Sequence, residues 1–238
     1  MNRGIFWFRR DLRLADHPAL DRACRAHDEL LLLYIDEAGE RAADASRAWL
    51  RKSLAALGAD IERRGGRLHL LAVEAETLLP MAAAACGANA VHVSALHEPA
   101  ADARDARLAA TLARDGVALR RSAGRLLGDP GAVLGKSGAP YKVFTPFLKA
   151  AMPGWRLRER PPPERLACVP LPEALRRFAA TIAPPRPAWD RGFWDAWSPG
   201  EAAACERLQE FLDRLDDYPG VRDLPAVDGT SRLSPQLH

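Results

Sequence analysis

Cysteine is scarce in this chain, long apolar runs are missing and net charge is nearly so, and each shortage narrows the field. Only four cysteines, Cys24, Cys86, Cys168 and Cys205, are scattered through 238 residues, with no CxxC pair. That spacing argues against a zinc site and against a disulfide framework. It fits a reducing cytoplasm, with each thiol expected as a small buried hydrophobe. The longest apolar runs, Leu30–Ile35 and Leu79–Gly87, fall well short of the ~20 residues that a membrane helix needs. The opening Met1-Asn2-Arg3-Gly4-Ile5 goes straight into a strand-like run, without the apolar stretch or cleavage site of a secretory signal. Net charge is +3, from 34 Lys+Arg and 31 Asp+Glu. Residues 1–150 hold 22 basic against 18 acidic side chains, and residues 151–238 hold 12 against 13. A nucleic-acid surface would have to come from arrangement, because bulk charge does not supply one.

What is present is an alternation of short apolar runs with longer amphipathic ones over the first 120 or so residues. Gly4–Phe8 reads as a strand and His17–His27 as a helix, with Asp16 as N-cap and Pro18 in the first turn. Glu29–Ile35 is apolar throughout, as a strand covered on both faces should be. Ala43–Arg64 carries Leu50, Leu54, Leu57 and Ile61 at helical spacing and is stopped by Gly65-Gly66. Strands at Arg67–Val73, Ala90–Ser94 and Val117–Arg120 alternate with helices at Glu76–Cys86 and about Pro99–Asp115. This pattern predicts an α/β fold: a five-stranded parallel Rossmann-like sheet with helices on both faces, over residues 1–130.

After Ser122 the pattern breaks. Ten of the 19 prolines fall in Pro153–Pro199, so residues 131–197 read as a mostly irregular connector. Its aromatics, Trp155, Phe178, Trp189, Phe193, Trp194 and Trp197, argue that it packs on something, because free linkers rarely carry so many. Trp49 is expected at the core or its edge. Residues 198–238 read as the beginning of a helical unit. Ser198-Pro199-Gly200-Glu201 has the form of a capping box, and Leu208, Phe211, Leu212 and Leu215 make an apolar stripe. One such helix cannot bury its own face.

Two segments carry candidate chemistry. The turn Arg9-Arg10-Asp11-Leu12-Arg13-Leu14-Ala15-Asp16-His17 opens at the carboxyl end of the first strand, where ligands bind to parallel sheets. It lacks the glycine fingerprint of a dinucleotide cradle. Its charges suit either ligand contact or an Arg–Asp network that fixes the loop, and His17 suits either ligand contact or, the favoured reading, a helix-start polar group. The second segment is Gly229–Pro235. Thr230, Ser231 and Ser234 place hydroxyls near an expected helix start, with Arg232 adding charge. This is either an ordinary cap or a place for phosphate.

Four strings, taken together, resemble the DNA photolyase–cryptochrome family, in family order and at about family spacing. They are Ile5–Leu14, Tyr141–Phe147, Asp217–Pro225 and Gly229–Pro235. The resemblance covers essentially the whole chain. It implies that residues 198–238 begin an all-α FAD-binding domain. It also implies that Tyr218, Thr230, Ser231, Arg232, Leu233 and Ser234 contact FAD, with the hydroxyls and amides on its diphosphate. The arginine matching Arg222 lies toward DNA in the family's photolyases, while an ion pair with Asp223 or Asp217 is the alternative for it. No residue of this chain is implied as catalytic, and no metal.

The implied activity is light-driven repair of UV-damaged DNA by a deoxyribodipyrimidine photo-lyase, a carbon–carbon lyase, acting as a cytoplasmic monomer. The alternatives are a cryptochrome-type photoreceptor without repair activity, or a chromophore-binding module ending here. This chain alone is expected to be inactive and to bind FAD poorly. In the family the first domain often holds a second, antenna chromophore, and for this chain a deazaflavin, a flavin or no antenna are the alternatives. Folate is disfavoured because Ala100 and Ala101 stand where folate-binding members have an Asn-Glu pair, and alanine offers no side-chain hydrogen bond.

Overall fold

Residues 4–8 and 30–35 are buried without interruption in the computed structural model, which describes residues 1–37, 44–124, 126–128, 130–135, 137–155 and 159–237. The two runs are β1 (Arg3–Phe8) and β2 (Glu29–Ile35), and three further strands join them: β3 (Leu68–Leu71), β4 (Ala88–Ser94) and β5 (Ala118–Ser122). The sheet is five-stranded and parallel throughout, in the order β3-β2-β1-β4-β5. The chain therefore builds outward from β1 to β3, then crosses to β4 on the other side. The crevice at such a reversal is where ligands enter open α/β sheets.

The side-chain period of two sorts the core into two layers. Ile5, Trp7, Leu31, Leu33, Val91 and Val93 face α3 (Ala75–Cys86) and α4 (Pro99–Arg114), which contribute Leu78, Leu79, Leu108 and Leu112. Phe6, Phe8, Leu30, Leu32 and Tyr34 face α1 (Pro18–Ala26) and α2 (Asp44–Arg63), which contribute Leu20, Leu54, Leu57 and Ile61. Each such side chain taken fully out of water contributes about 1.5–3 kcal/mol.

Several local expectations are corrected. The cap of α1 is His17, whose Nδ1 accepts from the Leu20 amide at 3.4 Å. Asp16 instead lies in the left-handed region at φ 43° and donates its amide to the Arg160 carbonyl at 2.7 Å. Aspartate tolerates that conformation better than most side chains. The expected start of α2 at Ala43 falls outside the described residues. Helix α7 (Glu201–Leu212) starts after Gly200 at φ 117°, with no side-chain cap at its first turn, so Ser198 does not close a capping box. Its stripe is real but stands open: Leu208, Leu212 and Leu215 are exposed. Among the cysteines, only Cys86 is buried; Cys24 and Cys168 are half-buried and Cys205 is exposed.

The connector is less irregular than its prolines suggest, because helix α5 (Phe144–Ala151) grows out of the aromatic Tyr141–Phe147 string. Its remainder extends the sheet locally. Leu30 donates to Ala167 O at 2.9 Å and accepts from the Val169 amide at 3.0 Å, while Leu70 O and the Ala72 amide pair with residues 178–180. Its aromatics pack only in part: Trp155, Trp194 and Trp197 are half-buried, while Trp189 and Phe193 are exposed. Trp194, on the short helix α6 (Phe193–Ala196), lies 6.4 Å from Trp49, and Trp197 lies 6.3 Å from it. Buried Asp190 pins this layer to α2, accepting from Arg51 at 2.9 Å and from the Trp194 indole at 3.1 Å.

Candidate functional site

The turn after β1 turns out to be mostly scaffold. Arg9 is buried and forms a fork onto Asp105 of α4, with N···O distances of 2.8 and 2.9 Å, while donating to Ser94 O at 2.7 Å. Arg121 approaches the same carboxylate at 3.2 Å. Arg10 reaches Glu98, and Arg13 donates to the Asp16 carbonyl. Asp11 lies 3.1 Å from His17 Nε2. Since His17 Nδ1 is occupied as an acceptor, the ring proton belongs on Nε2, facing the carboxylate. Burial opposes ionisation of Asp11, yet His17, with Ser94 and Arg13 behind it, outweighs burial and holds the carboxyl well below its ordinary range. The network therefore runs mainly to α4 and His17, more widely than an Arg–Asp lattice within the loop.

Trp7 sits with the guanidiniums of Arg9 and Arg104 at 4.8 and 5.1 Å from its ring. Arg104 pairs with Glu37, whose other oxygen accepts from the Ala75 amide at the start of α3, at 2.9 Å. The cavity at this edge, between Trp7, Arg9, Tyr34, Glu37, Leu96 and Arg104, measures about 20 Å³. That is space for a single water and not for a chromophore. A larger recess of about 220 Å³ lies beside the first turn of α2, against Arg47, Arg186 and Trp189.

The hydroxyl-rich tail has a different character. Tyr218 begins the short helix α8 (Tyr218–Val221) and stands edge-on to Phe211, with ring centroids 5.5 Å apart. The Arg222 guanidinium lies 5.9 Å from the Tyr218 ring and 3.4 Å from Asp223, the ion pair that was the alternative for it. Thr230 and Ser234 are exposed. Ser231 is half-buried; its hydroxyl accepts from the Leu233 amide at 3.4 Å, and its carbonyl accepts from Arg207 Nε at 3.0 Å. Residues 234–237 form a 3-10 turn that begins at Ser234 and is the last element of the described residues. Gly229 is required by space: a Cβ there would lie 2.7 Å from the Val221 carbonyl oxygen.

Three arginines converge on Asp228. Arg232 reaches it at 2.9 Å, Arg207 at 3.2 Å and Arg214 at 3.7 Å. The Arg207 hydrogen bonds, against slight burial, hold the Asp228 carboxyl below its usual value, with Arg232 and Arg214 assisting. Beside this cluster is a cavity of about 190 Å³, bordered by Trp197, Ser198, Arg207, Glu210, Arg232 and Gln236. Of the residues expected around a flavin, Arg232 lines it; Tyr218, Thr230, Ser231, Leu233 and Ser234 do not. Arg207, Asp228 and Gln236 were missed from sequence. Only Asp228, next to the Gly-Thr-Ser string, carried a positional hint. The cavity lining balances Arg207 and Arg232 against Glu206 and Glu210, both arginines are also paired with Asp228, and the exposed Thr230 and Ser234 hydroxyls lie outside it. Among the described residues no group of three or more His, Cys, Asp or Glu could hold a metal, and no helix is long and apolar enough to cross a membrane.

Comparison with known proteins gives these features a family. A model for DNA photolyase matches residues 4–167. The deoxyribodipyrimidine photo-lyase of Agrobacterium fabrum is 37% identical over 238 residues, 98% of this chain and 50% of that one. The deoxyribodipyrimidine photo-lyase of Synechococcus sp. (strain ATCC 27144 / PCC 6301 / SAUG 1402/1) is 36% identical over 248 residues, again 98% and 50%. The crystal structure of a bacterial class III photolyase from Agrobacterium tumefaciens superposes with a TM-score of 0.88 at 37% identity, covering 100% of this chain and 50% of that one. The chain thus spans about half the length of the curated relatives it matches. With the parallel sheet, the matched strings and these likenesses in agreement, the chain belongs to the DNA photolyase family.

Proposed function

We propose that this chain supplies the α/β body and one wall of the flavin site of a light-driven DNA-repair protein, a deoxyribodipyrimidine photo-lyase. The observation that carries the proposal is the 37% identity to such an enzyme along 98% of the chain. Bound in its reduced form, FAD would supply light-driven donation of one electron to a cyclobutane pyrimidine dimer and take that electron back once the ring has split. The chain's own part is binding and orientation. The hydroxyls of Thr230, Ser231 and Ser234, the backbone around Leu233 and the Arg232 guanidinium hold the diphosphate, with Tyr218 packed on Phe211 nearby. Arg222 exchanges Asp223 for a phosphate of the damaged strand. The exposed Thr230 and Ser234 hydroxyls and the Arg232 guanidinium, which would exchange Asp228 for phosphate, support the reading, while a cavity of about 190 Å³ is smaller than the roughly 300–1,000 Å³ of ordinary ligand sites. The chain therefore offers part of a flavin site and no complete one.

A second, light-harvesting chromophore of a class other than folate fits the chain better than folate does. Ala100 and Ala101, in the first turn of α4, have no side-chain donor or acceptor. The free cysteines suit a reducing cytoplasm.

The test is repair itself. The gene product carrying this chain is purified in the dark, given UV-irradiated oligothymidylate and illuminated with near-ultraviolet or blue light. Light-dependent regeneration of thymine absorbance over many turnovers is expected. Bound flavin with no regeneration would point to a photoreceptor instead. The 238-residue chain by itself is expected to retain FAD far below one equivalent after gel filtration; a stoichiometric yellow complex would refute the partial-wall reading.

A further inference from the structure

The first turn of α7 makes one contact that neither the cap logic of its helix nor the flavin reading accounts for. Glu201 points away from its own helix. Its Oε2 accepts from the Leu14 amide at 2.8 Å and its Oε1 from the Ala15 amide at 2.9 Å. The two residues are 187 and 186 positions upstream, in the turn between β1 and α1. That turn is otherwise fixed. Leu14 is 2% exposed, the Asp16 amide donates to Arg160 O, and Arg9 and Asp11 are locked to Asp105 and His17. Neighbouring Gly200, at φ 117°, lies so close to α2 that a Cβ there would be 2.8 Å from the Ala56 Cβ. The start of α7 is therefore seated on the body by a fork of two charge-assisted hydrogen bonds and by a backbone approach that only glycine allows.

Arg207 lies about 9 Å along the same helix at 1.5 Å rise per residue. It donates to the Ser231 carbonyl and to Asp228. Helix α7 thus connects the turn after β1 to the hydroxyl-bearing segment, with Glu201 at one end and Arg207 at the other. We propose that Glu201 is a positioning residue: it clamps α7 to the Leu14 and Ala15 amides and so fixes where Arg207, Ser231 and Arg232 stand relative to the α/β body. Its importance for ligand binding rests on the flavin reading above; its clamping does not.

Hydrogen exchange on the 238-residue chain tests the clamp without any flavin. In Glu201→Ala, exchange at the Leu14 and Ala15 amides and across residues 201–237 is expected to quicken about tenfold. Strands β1 and β4 should be unchanged. Glu201→Gln should fall between wild type and alanine, because it keeps one acceptor oxygen but turns an NH2 group toward the second amide. Unchanged exchange in Glu201→Ala, or an equal rise in β1 and β4, would overturn the proposal. FAD affinity of the flavin-bearing gene product is then compared between wild type and Glu201→Ala. A freed tail with about tenfold weaker FAD supports both the clamp and the flavin wall. A freed tail with unaltered FAD affinity supports the clamp and refutes the wall.

Discussion

Acidification should loosen the α/β body through a pair of histidines on β4 and at the end of α1. His92 is 2% exposed, and its Nε2 lies 2.9 Å from Nε2 of His27. The proton positions follow from the neighbours. Asn2 Oδ1 accepts from Asn89 at 2.8 Å and lies 3.1 Å from His27 Nδ1, which therefore carries a proton. That leaves His27 Nε2 as acceptor and His92 Nε2 as donor, with both rings neutral. Burial lowers the His92 pKa from 6.5 to about 4, helped by His27, Arg22 and Arg120, and burial lowers that of His27 against the pull of Asp28. Between these values the unfolded chain binds more protons than the folded one, so stability rises with pH and is lost as pH falls from 6.5 toward about 4. At 1.36 kcal/mol per unit the whole window amounts to about 3 kcal/mol, of which about 2 is gone by about pH 5. Urea unfolding at about pH 7.5 and about pH 5 reads this directly. Wild type should lose about 2 kcal/mol more between the two conditions than His92→Gln, which cannot titrate. Asp11 does not confuse the comparison, since its carboxyl, held low by His17, gives up its contribution only in stronger acid. Equal losses in wild type and His92→Gln would refute the assignment.

Two further outcomes follow from buried geometry. Arg9→Met leaves Asp105, 1% exposed, without its fork, and should lower unfolding free energy in urea by about 3–5 kcal/mol. Gly229→Ala sets a Cβ 2.7 Å from the Val221 carbonyl oxygen, so residues 229–232 must shift. In the flavin-bearing gene product it should weaken FAD, read by fluorescence release, while melting of the sheet stays within about 1 kcal/mol of wild type.

The central strands were legible because physics there leaves one solution. A run such as Leu30–Ile35, apolar at every position, is tolerated only between two covered faces, and helices α1 to α4 cover them. Legibility fell at the sheet edges, where local pattern competes with chain from elsewhere. Arg67–Val73 was expected as a strand, but Leu68–Leu71 is its extent, and its outer edge pairs with residues 178–180 of the connector, a partner no local pattern announces. Helix α5 lies between the glycine-rich stretch after Ser122 and the proline-rich one from Pro153, and is too short for its period to stand out from them. The exposure of Cys205 shows the limit of residue-type averages: it lies on α7, a helix with much of its surface open.

The tail was legible in its residues and illegible in its partners. Thr230, Ser231, Arg232 and Ser234 are named by their string, but nothing local says that Arg207, Arg214 and Arg232 all meet Asp228. Glu201 is the sharpest case. Ser198-Pro199-Gly200-Glu201 satisfies the spacing of a capping box, yet two amides of a buried turn need an acceptor, and water does not readily reach Leu14. A cap exposed to solvent has water as its substitute; the amide of buried Leu14 has far less of it, and half-buried Ala15 shares the same carboxylate. The carboxylate therefore goes to the donors with the larger cost of being left alone, and the local motif yields to a contact 187 residues away.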